Sequence, residues 1–292
     1  MLGALVVAAA IVATVAVAAS RSTSGGAAIS CRGPEEAAPA AGRCIPGPDL
    51  RVLAAGTPLE PTWRGGFPPR GPAGWNEVQA VSRTSIRGVR AASGTRPHVG
   101  VFTVRPGDTP VRSGERAEVA ASEQDTGGGE GTEAWYVWST LFPRGAFRPV
   151  PGSTLNIFTQ WHGTAPDGCR PNVALQVNTN KSPPQLRLGA RGGRLAPGSC
   201  AEPHDNSWDF APLETGRWHD FALHVRWSSD PRRGFVELFL GGRVVVPRSA
   251  GATLYAGQRV YAKQGFYRAP ASFTTKLVHS GMTRLGAAGA KP

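Results

Sequence analysis

The sequence predicts an all-β protein, a sandwich of two stacked antiparallel sheets of the jelly-roll type. From residue 63 onward, short runs alternate apolar and polar side chains, the period of half-buried strands. Glycine and proline clusters separate these runs, and no long stretch shows the period of a helix. The 292 residues suit one large all-β domain.

The N-terminal residues predict export. Residues 2–19 carry no charge and end near Ala16-Val17-Ala18, a small-residue cleavage site. We expect residues 1–19 to be a signal peptide and the mature, monomeric protein to be secreted without membrane association. An uncleaved membrane anchor is the alternative, although an alanine-rich run is only weakly apolar for a stable span. Residues 20–60 are rich in glycine, proline and alanine and predict a flexible segment.

The remaining chain divides into strands, which we assign to one domain over residues 61–286, followed by a tail of residues 287–292. Residues 218–227 alternate most strongly, with Phe221, Leu223 and Val225 on one face. Gly241-Gly242 predicts a hairpin turn. The other predicted strands are 99–104, 116–119, 135–142, 154–162, 172–178, 235–240, 243–246, 259–268 and 273–279.

Four cysteines in an exported chain predict two disulfides, for which three pairings exist. The most local pairing, Cys31–Cys44 with Cys169–Cys200, is the one we favour. The second bridge would close a loop rich in glycine and proline after His162. Neither pair has the spacing C-x-x-C, which disfavours a zinc or redox site.

The net charge of +12 predicts attraction to polyanions, among them nucleic acid, anionic cell surfaces and acidic polysaccharides. No helix-turn-helix, zinc-finger or RNA-binding aromatic motif is present, and the arginines are scattered. We therefore expect no specific nucleic-acid partner. A genome of high GC content, which encodes arginine freely, is the alternative source of this charge.

Two predicted strands carry a set of polar side chains with matching parity. Gln160 and His162 share one face of their strand, and Tyr261, Lys263 and Tyr267 share one face of theirs. A histidine, tyrosines, an amide and a cation on one sheet face predict an acid/base site for opening a sugar chain.

These strands resemble those of the heparin lyase I-like and glucuronan lyase-like polysaccharide lyases. Residues 158–163 resemble the family's QWH strand, residues 261–268 its YxKxGxYR strand, and residues 114–118 its GxRAE element. Further likeness lies in residues 216–221, 225–228 and 233–237. The elements occur in the family's order. The resemblance implies a concanavalin-like jelly roll with a substrate groove across a concave sheet.

The resemblance also implies β-elimination at a uronic acid in an anionic polysaccharide. His162 and Tyr267 match the acid/base positions, and Gln160 matches the amide that faces the substrate carboxylate. Lys263 and Arg116 match basic groove residues. Tyr261 is a weaker candidate on the same face, and Arg268, which ends the motif, is grouped with the substrate-binding residues.

Each assignment has a structural alternative. His162 alone would suit a hydrogen-bonded structural histidine, Tyr267 a strand anchor, and Arg116 a partner for Glu118 on the same strand face. His219 lies on the apolar side of its strand and is interpreted as structural, whereas the role of His224 is left open.

Two other functions remain as alternatives. A lectin-like binding module uses the same sandwich without catalysis. A glycoside hydrolase needs two carboxylates about 5–10 Å apart. Glu118 and Glu237 are the only strand carboxylates with a claim to this role, and they lie on separate strands with no shared motif. The elimination chemistry requires no cofactor and no metal, and no calcium-loop motif supports the structural calcium that is also left open. The identity of the polymer is left open too.

Overall fold

The computed structural model describes residues 59–91, 96–111, 113–164, 169–201 and 203–287. The predicted signal peptide, the flexible segment except its last two residues, the tail beyond residue 287 and the Cys31–Cys44 pairing lie outside these residues. All described residues belong to one compact unit. Among them, no helix is long and apolar enough to cross a membrane.

Strands make up nearly all of the regular secondary structure in the described chain, which confirms the predicted all-β fold class. It contains one short helix, α1 (Glu123–Thr126), and one 3-10 turn, Arg83–Ser85. The strands are β1 (Leu59–Gly65), β2 (Glu77–Ala80), β3 (Ile86–Arg90), β4 (His98–Val104), β5 (Glu115–Ala120), β6 (Glu133–Leu141), β7 (Asn156–Gly163), β8 (Val173–Asn178), β9 (Gln185–Gly192), β10 (His204–Pro212), β11 (Trp218–Arg226), β12 (Phe235–Leu240), β13 (Arg243–Ala250), β14 (Val260–Arg268), β15 (Thr275–His279) and β16 (Met282–Ala287).

The strands form two sheets with antiparallel ladders, as the sequence predicts. The seven-stranded sheet has the order β10-β9-β8-β7-β14-β5-β2. The nine-stranded sheet has the order β13-β12-β11-β6-β15-β4-β3, and β16 joins it by pairing with β6 and β1. Strands distant in sequence are neighbours in both sheets, which is the long-range connectivity of a jelly roll. β14 thus lies between β7 and β5, which brings the three motif-bearing strands together.

Aromatic side chains from the two sheets meet in the core. Trp138 and Phe221 come from the nine-stranded sheet, and Trp161 and Phe266 come from the seven-stranded sheet. The rings of Trp138 and Trp161 are 5.7 Å apart. Burying each such side chain stabilises the fold by about 1.5–3 kcal/mol. Since Trp161 fills the core, its neighbours Gln160 and His162 point to the opposite face of the sheet.

The histidines of β11 have structural surroundings. His219 packs against Phe142 at 5.3 Å, and burial together with the charge of Arg217 lowers its pKa to about 4. This agrees with its structural interpretation. His224 lies on the outer face of the nine-stranded sheet, 2.7 Å from Glu133 and 3.0 Å from Glu237. Its role, left open by the sequence, is to hold these carboxylates together.

Cys169 and Cys200 form a disulfide, which confirms the favoured pairing for the second bridge. Cys169 lies between β7 and β8, and Cys200 lies between β9 and β10. Because these four strands are neighbours in the seven-stranded sheet, the bridge ties together two loops at one end of that sheet. His162 is near the end of β7 from which one of these loops leaves.

Candidate functional site

The three central strands of the seven-stranded sheet position the candidate residues. Lys263 on β14 is opposite Gln160 on β7, and Tyr261 is opposite His162. On its other side, Tyr267 is opposite Arg116 on β5. Neighbouring positions on these strands point into the core, so the candidate side chains project from the outward face. We call this face, on β5, β14 and β7, the polar face.

Glu118 on β5 is the centre of this face. The Gln160 amide donates from Nε2 to Glu118 Oε1 over 2.5 Å, and Lys263 Nζ lies 3.2 Å from Glu118 Oε2. Arg116 Nη1 donates to Glu118 Oε2 over 3.4 Å. The ion pair between Arg116 and Glu118, an alternative at the level of sequence, is therefore present. This ion pair belongs to a larger cluster with Gln160 and Lys263 that the sequence did not predict. The only sign of it in the sequence is strand alternation, which places Arg116 and Glu118 on the same face.

The cluster is shielded from solvent. Glu118, Gln160, Lys263 and Arg116 are 1%, 2%, 3% and 7% exposed, respectively. Low exposure strengthens each ionic contact relative to bulk water. Two cations against one carboxylate leave a net positive charge, which favours an incoming anion. Lys263 and Arg116 are therefore buried cations of this cluster and not extended surface cations.

His162 is partly buried and is oriented by the backbone. Its Nδ1 lies 2.8 Å from the Gly163 carbonyl oxygen. A carbonyl oxygen only accepts, so Nδ1 carries the hydrogen and Nε2 is the basic nitrogen of the neutral ring. Burial lowers the pKa of His162, and the charge of Lys263 lowers it further, against the opposing effects of Glu118 and of backbone hydrogen bonds with Gly163 and Cys169. The lowered pKa favours the neutral form of the ring, the form that can accept a proton.

The two tyrosines occupy different positions along this face. The rings of Tyr261 and His162 are 6.1 Å apart. Tyr267 is paired with Ile157, five positions along β7 from His162, or about 16 Å of strand. The Arg116 guanidinium lies 3.8 Å above the Tyr267 ring, whose hydroxyl is 3.1 Å from Ser113 Oγ. The structure brings Tyr261 next to His162, whereas a common site for His162 and Tyr267 stays a prediction.

A bulge in β14 sets the position of Tyr267. The register with β7 shifts between Gln264 and Tyr267, and Gly265 has a φ of 148°. A Cβ at Gly265 would lie 2.2 Å from the Ala117 carbonyl oxygen, so only glycine fits. The Tyr267 ring also occupies the space over Gly114, where a Cβ would come within 2.2 Å of it. Gly265 and Gly114, the glycines of the two motifs, therefore determine where the Tyr267 side chain lies.

Arg268 does not belong to the polar face, which corrects its grouping with the substrate-binding residues. Its side chain is fully buried and lies 2.8 Å from Glu115 Oε2. It also donates to Thr275 Oγ1 over 2.7 Å and to the Phe273 carbonyl oxygen over 2.5 Å. Arg268 follows Tyr267 directly and so points to the other side of the strand. Its role is to fix the end of β14.

Elsewhere in the sheet, the cations on this outward face are each paired with a carboxylate. On β9, Arg187 lies 2.7 Å from Asp209, and Arg191 lies 3.0 Å from Asp205. Their neighbours Leu186 and Leu188 fill the core, so both arginines share the outward face of the sheet. The net charge of +12 is therefore not concentrated in the described strands of this face.

The carboxylates needed for glycoside hydrolysis are not brought together. Glu118 is on β5 of the seven-stranded sheet, whereas Glu237 is on β12 of the other sheet, next to His224 and Arg248. A hydrolase pair needs both groups on one sugar. Within the described residues, no group of three or more histidine, cysteine, aspartate or glutamate side chains could hold a metal ion.

Comparisons with known proteins give a family and a fold for this chain. A family model described as polysaccharide lyase matches residues 72–283. The structure is similar to that of an endo-beta-1,4-glucuronan lyase from the fungus Trichoderma reesei, with a TM-score of 0.61 and 16% identity over 77% of this chain and 95% of that one. An alginate lyase from Pseudomonas aeruginosa has a TM-score of 0.43 and 14% identity, over 77% of this chain and 98% of that one. No match was found among curated proteins.

At 16% identity, the likeness to the fungal structure shows the fold alone, a jelly-roll sandwich. The family model shows the family as well, because it spans well over half of the chain and includes all of β5, β7 and β14. The chain belongs to the polysaccharide lyase family and is an enzyme that acts on polysaccharides.

Proposed function

We propose that this lyase is secreted and cleaves a uronic-acid-containing polysaccharide by β-elimination. One observation carries the proposal. A histidine oriented by a backbone hydrogen bond lies on the same sheet face as an amide and two cations, which three adjacent strands bring together. These are the groups that the reaction requires: a base, and donors for a carboxylate that gains charge.

The reaction first requires stabilisation of the negative charge that develops at the substrate carboxylate. Loss of the C5 proton beside a carboxylate builds an enolate-like dianion. The Gln160 amide has two N–H groups, of which Glu118 accepts one. The other N–H is available to the substrate carboxylate, and Lys263 and Arg116 supply positive charge nearby. Preorganised donors in a water-poor site stabilise such charge far more than water does.

Proton transfer completes the reaction. Nε2 of His162 takes the C5 proton, the C4–O4 bond breaks, and a double bond forms between C4 and C5. The leaving O4 oxygen takes a proton from a tyrosine hydroxyl. The motif assigns this acid role to Tyr267, and Tyr261, beside the base, is assigned to substrate binding. No cofactor enters any step.

Export rests on two features of the chain. Residues 2–19 are uncharged and end in small residues suited to cleavage. The Cys169–Cys200 disulfide suits an oxidising compartment, where an extracellular polysaccharide is also found. We propose that the mature protein acts as a monomer and without a membrane.

A screen of uronate polymers tests the proposal. Glucuronan stands first, because the similar fungal structure is that of a glucuronan lyase, and alginate and heparin-like chains follow. The expected result is ultraviolet absorbance from 4,5-unsaturated ends with at least one uronate polymer and none with neutral cellulose. Binding to a uronate polymer without absorbance would replace the lyase by a sugar-binding module.

A further inference from the structure

Glu118 takes no part in proton transfer, yet its carboxylate holds three groups of the proposed site. Each group comes from a different position: Gln160 from β7, Lys263 from β14 and Arg116 from β5 itself. Glu118 is 1% exposed, so these contacts are not replaced by water. A buried carboxylate in such contacts fixes the direction of its partners.

The Gln160 amide depends most on this contact. The two ends of a primary amide have nearly the same shape, and they differ in that one donates and the other accepts. Glu118 accepts only, so it holds Nε2 toward β5 and leaves the second N–H of that nitrogen for the substrate. A reversed amide would turn its oxygen toward the substrate carboxylate, and the two would repel.

We propose that Glu118 is a positioning residue of the lyase, whose carboxylate orients the Gln160 amide and the Lys263 ammonium toward the uronate carboxylate. This inference rests on the proposed function. Glu118 also places a negative charge close to a polyanionic substrate. Its presence therefore weakens ground-state binding while it improves the geometry of the reaction.

This opposition gives a kinetic signature that a merely structural residue lacks. Glu118→Gln removes the charge and lets the Gln160 amide reverse, so kcat should fall about 100-fold, as for a misplaced catalytic group. KM should fall as well, by several-fold at low salt, since one repulsive charge is gone. Glu118→Asp keeps the charge but withdraws it by one methylene, so kcat should fall with KM unchanged.

The control is Glu77→Gln on β2. Glu77 is an exposed carboxylate on the strand next to β5 and contacts none of the groups held by Glu118. Both kinetic constants should stay at their wild-type values. A second arm places Glu118→Asp in a Gln160→Ala background. If Glu118 acts through Gln160, kcat should fall much less there than in the wild type.

The outcomes separate the two proposals. A wild type that cleaves no uronate polymer overturns the proposed function and this inference with it. If the wild type is active and Glu118→Asp keeps the wild-type kcat, this inference alone is overturned. It is also overturned if Glu118→Asp lowers kcat by the same factor in the Gln160→Ala background as in the wild type. If Glu118→Gln fails to fold by circular dichroism, Glu118→Asp, which retains the carboxylate for the buried cations, carries the test.

Discussion

His162 and Tyr261 face each other across the β7–β14 pair, with their ring centroids 6.1 Å apart. Tyr267 lies at the other end of the same polar face, beneath the Arg116 guanidinium. Gln160 and Lys263 are paired between these two ends. About 16 Å of strand separates His162 from Tyr267, so both side chains would have to lean toward Gln160 and Lys263 to act on one sugar.

The two tyrosines give a matched pair of hydroxyl deletions. Tyr267→Phe should lower kcat by about 10²–10⁴-fold with polymer binding nearly intact, because proton transfer to O4 needs the hydroxyl. Tyr261→Phe should instead raise KM and change kcat little. Steady-state kinetics on the cleaved polymer measures both. The reverse result would assign the acid role to the tyrosine beside His162.

The pH profile reports the base. Burial and Lys263 lower the pKa of His162 below its usual 6.5, so the neutral, active form persists to lower pH. The acid limb of kcat/KM should therefore have its midpoint below pH 6.5, with activity rising as pH increases through it. His162→Ala should lose about 10²–10⁴-fold in kcat. A midpoint above pH 6.5 would show that the limb belongs to another group.

Acid should destabilise the fold. Burial lowers the pKa of both His219 and His279 to about 4, from 6.5. Between these values the unfolded chain binds protons that the folded chain does not, so stability is full above pH 6.5 and falls as pH decreases toward 4. The loss is about 3 kcal/mol for each histidine. Urea unfolding of His279→Gln should show a shallower pH dependence over this window, and an unchanged slope would contradict it.

Substitutions of two buried arginines should affect different properties: stability for Arg268 and substrate binding for Arg116. Arg268→Met leaves Glu115 buried without its ion pair and should destabilise the protein by about 3–5 kcal/mol, while the folded fraction keeps its KM. Arg116→Ala should raise KM, most clearly at low salt, because its charge acts on the polyanion through a screened field. Thermal unfolding and salt-dependent kinetics measure the two effects. An altered KM in Arg268→Met would return that residue to the substrate site.

Much of the fold followed from local pattern. Alternation and turn residues predict most strands from β4 onward, and parity alone places Gln160 and His162 opposite Trp161. The Cys169–Cys200 bridge was also predicted, as the local pairing. These features depend on neighbours in sequence, which is the information that a single chain displays.

The remaining features depend on pairing between distant strands. The motif groups Arg268 with its neighbour Tyr267, but strand alternation turns it to the other face, and its contact with Glu115, across the β14–β5 pair, shows what its charge meets. The central place of Glu118 needs β5 and β7 on either side of β14, an order that no local pattern encodes. The bulge at Gly265 shifts the register of Tyr267 against β7, and the register between distant strands is not encoded in local sequence.

Incubation of the wild type with glucuronan in heavy-oxygen water tests the central claim most directly. β-Elimination creates a 4,5-unsaturated end without adding water, so the products should absorb in the ultraviolet and carry no heavy oxygen from the solvent. Mass spectrometry of the same products reads both properties, and alginate and heparin-like chains serve as parallel substrates. Products without the double bond that incorporate one solvent oxygen per cleavage would show hydrolysis and contradict the lyase mechanism.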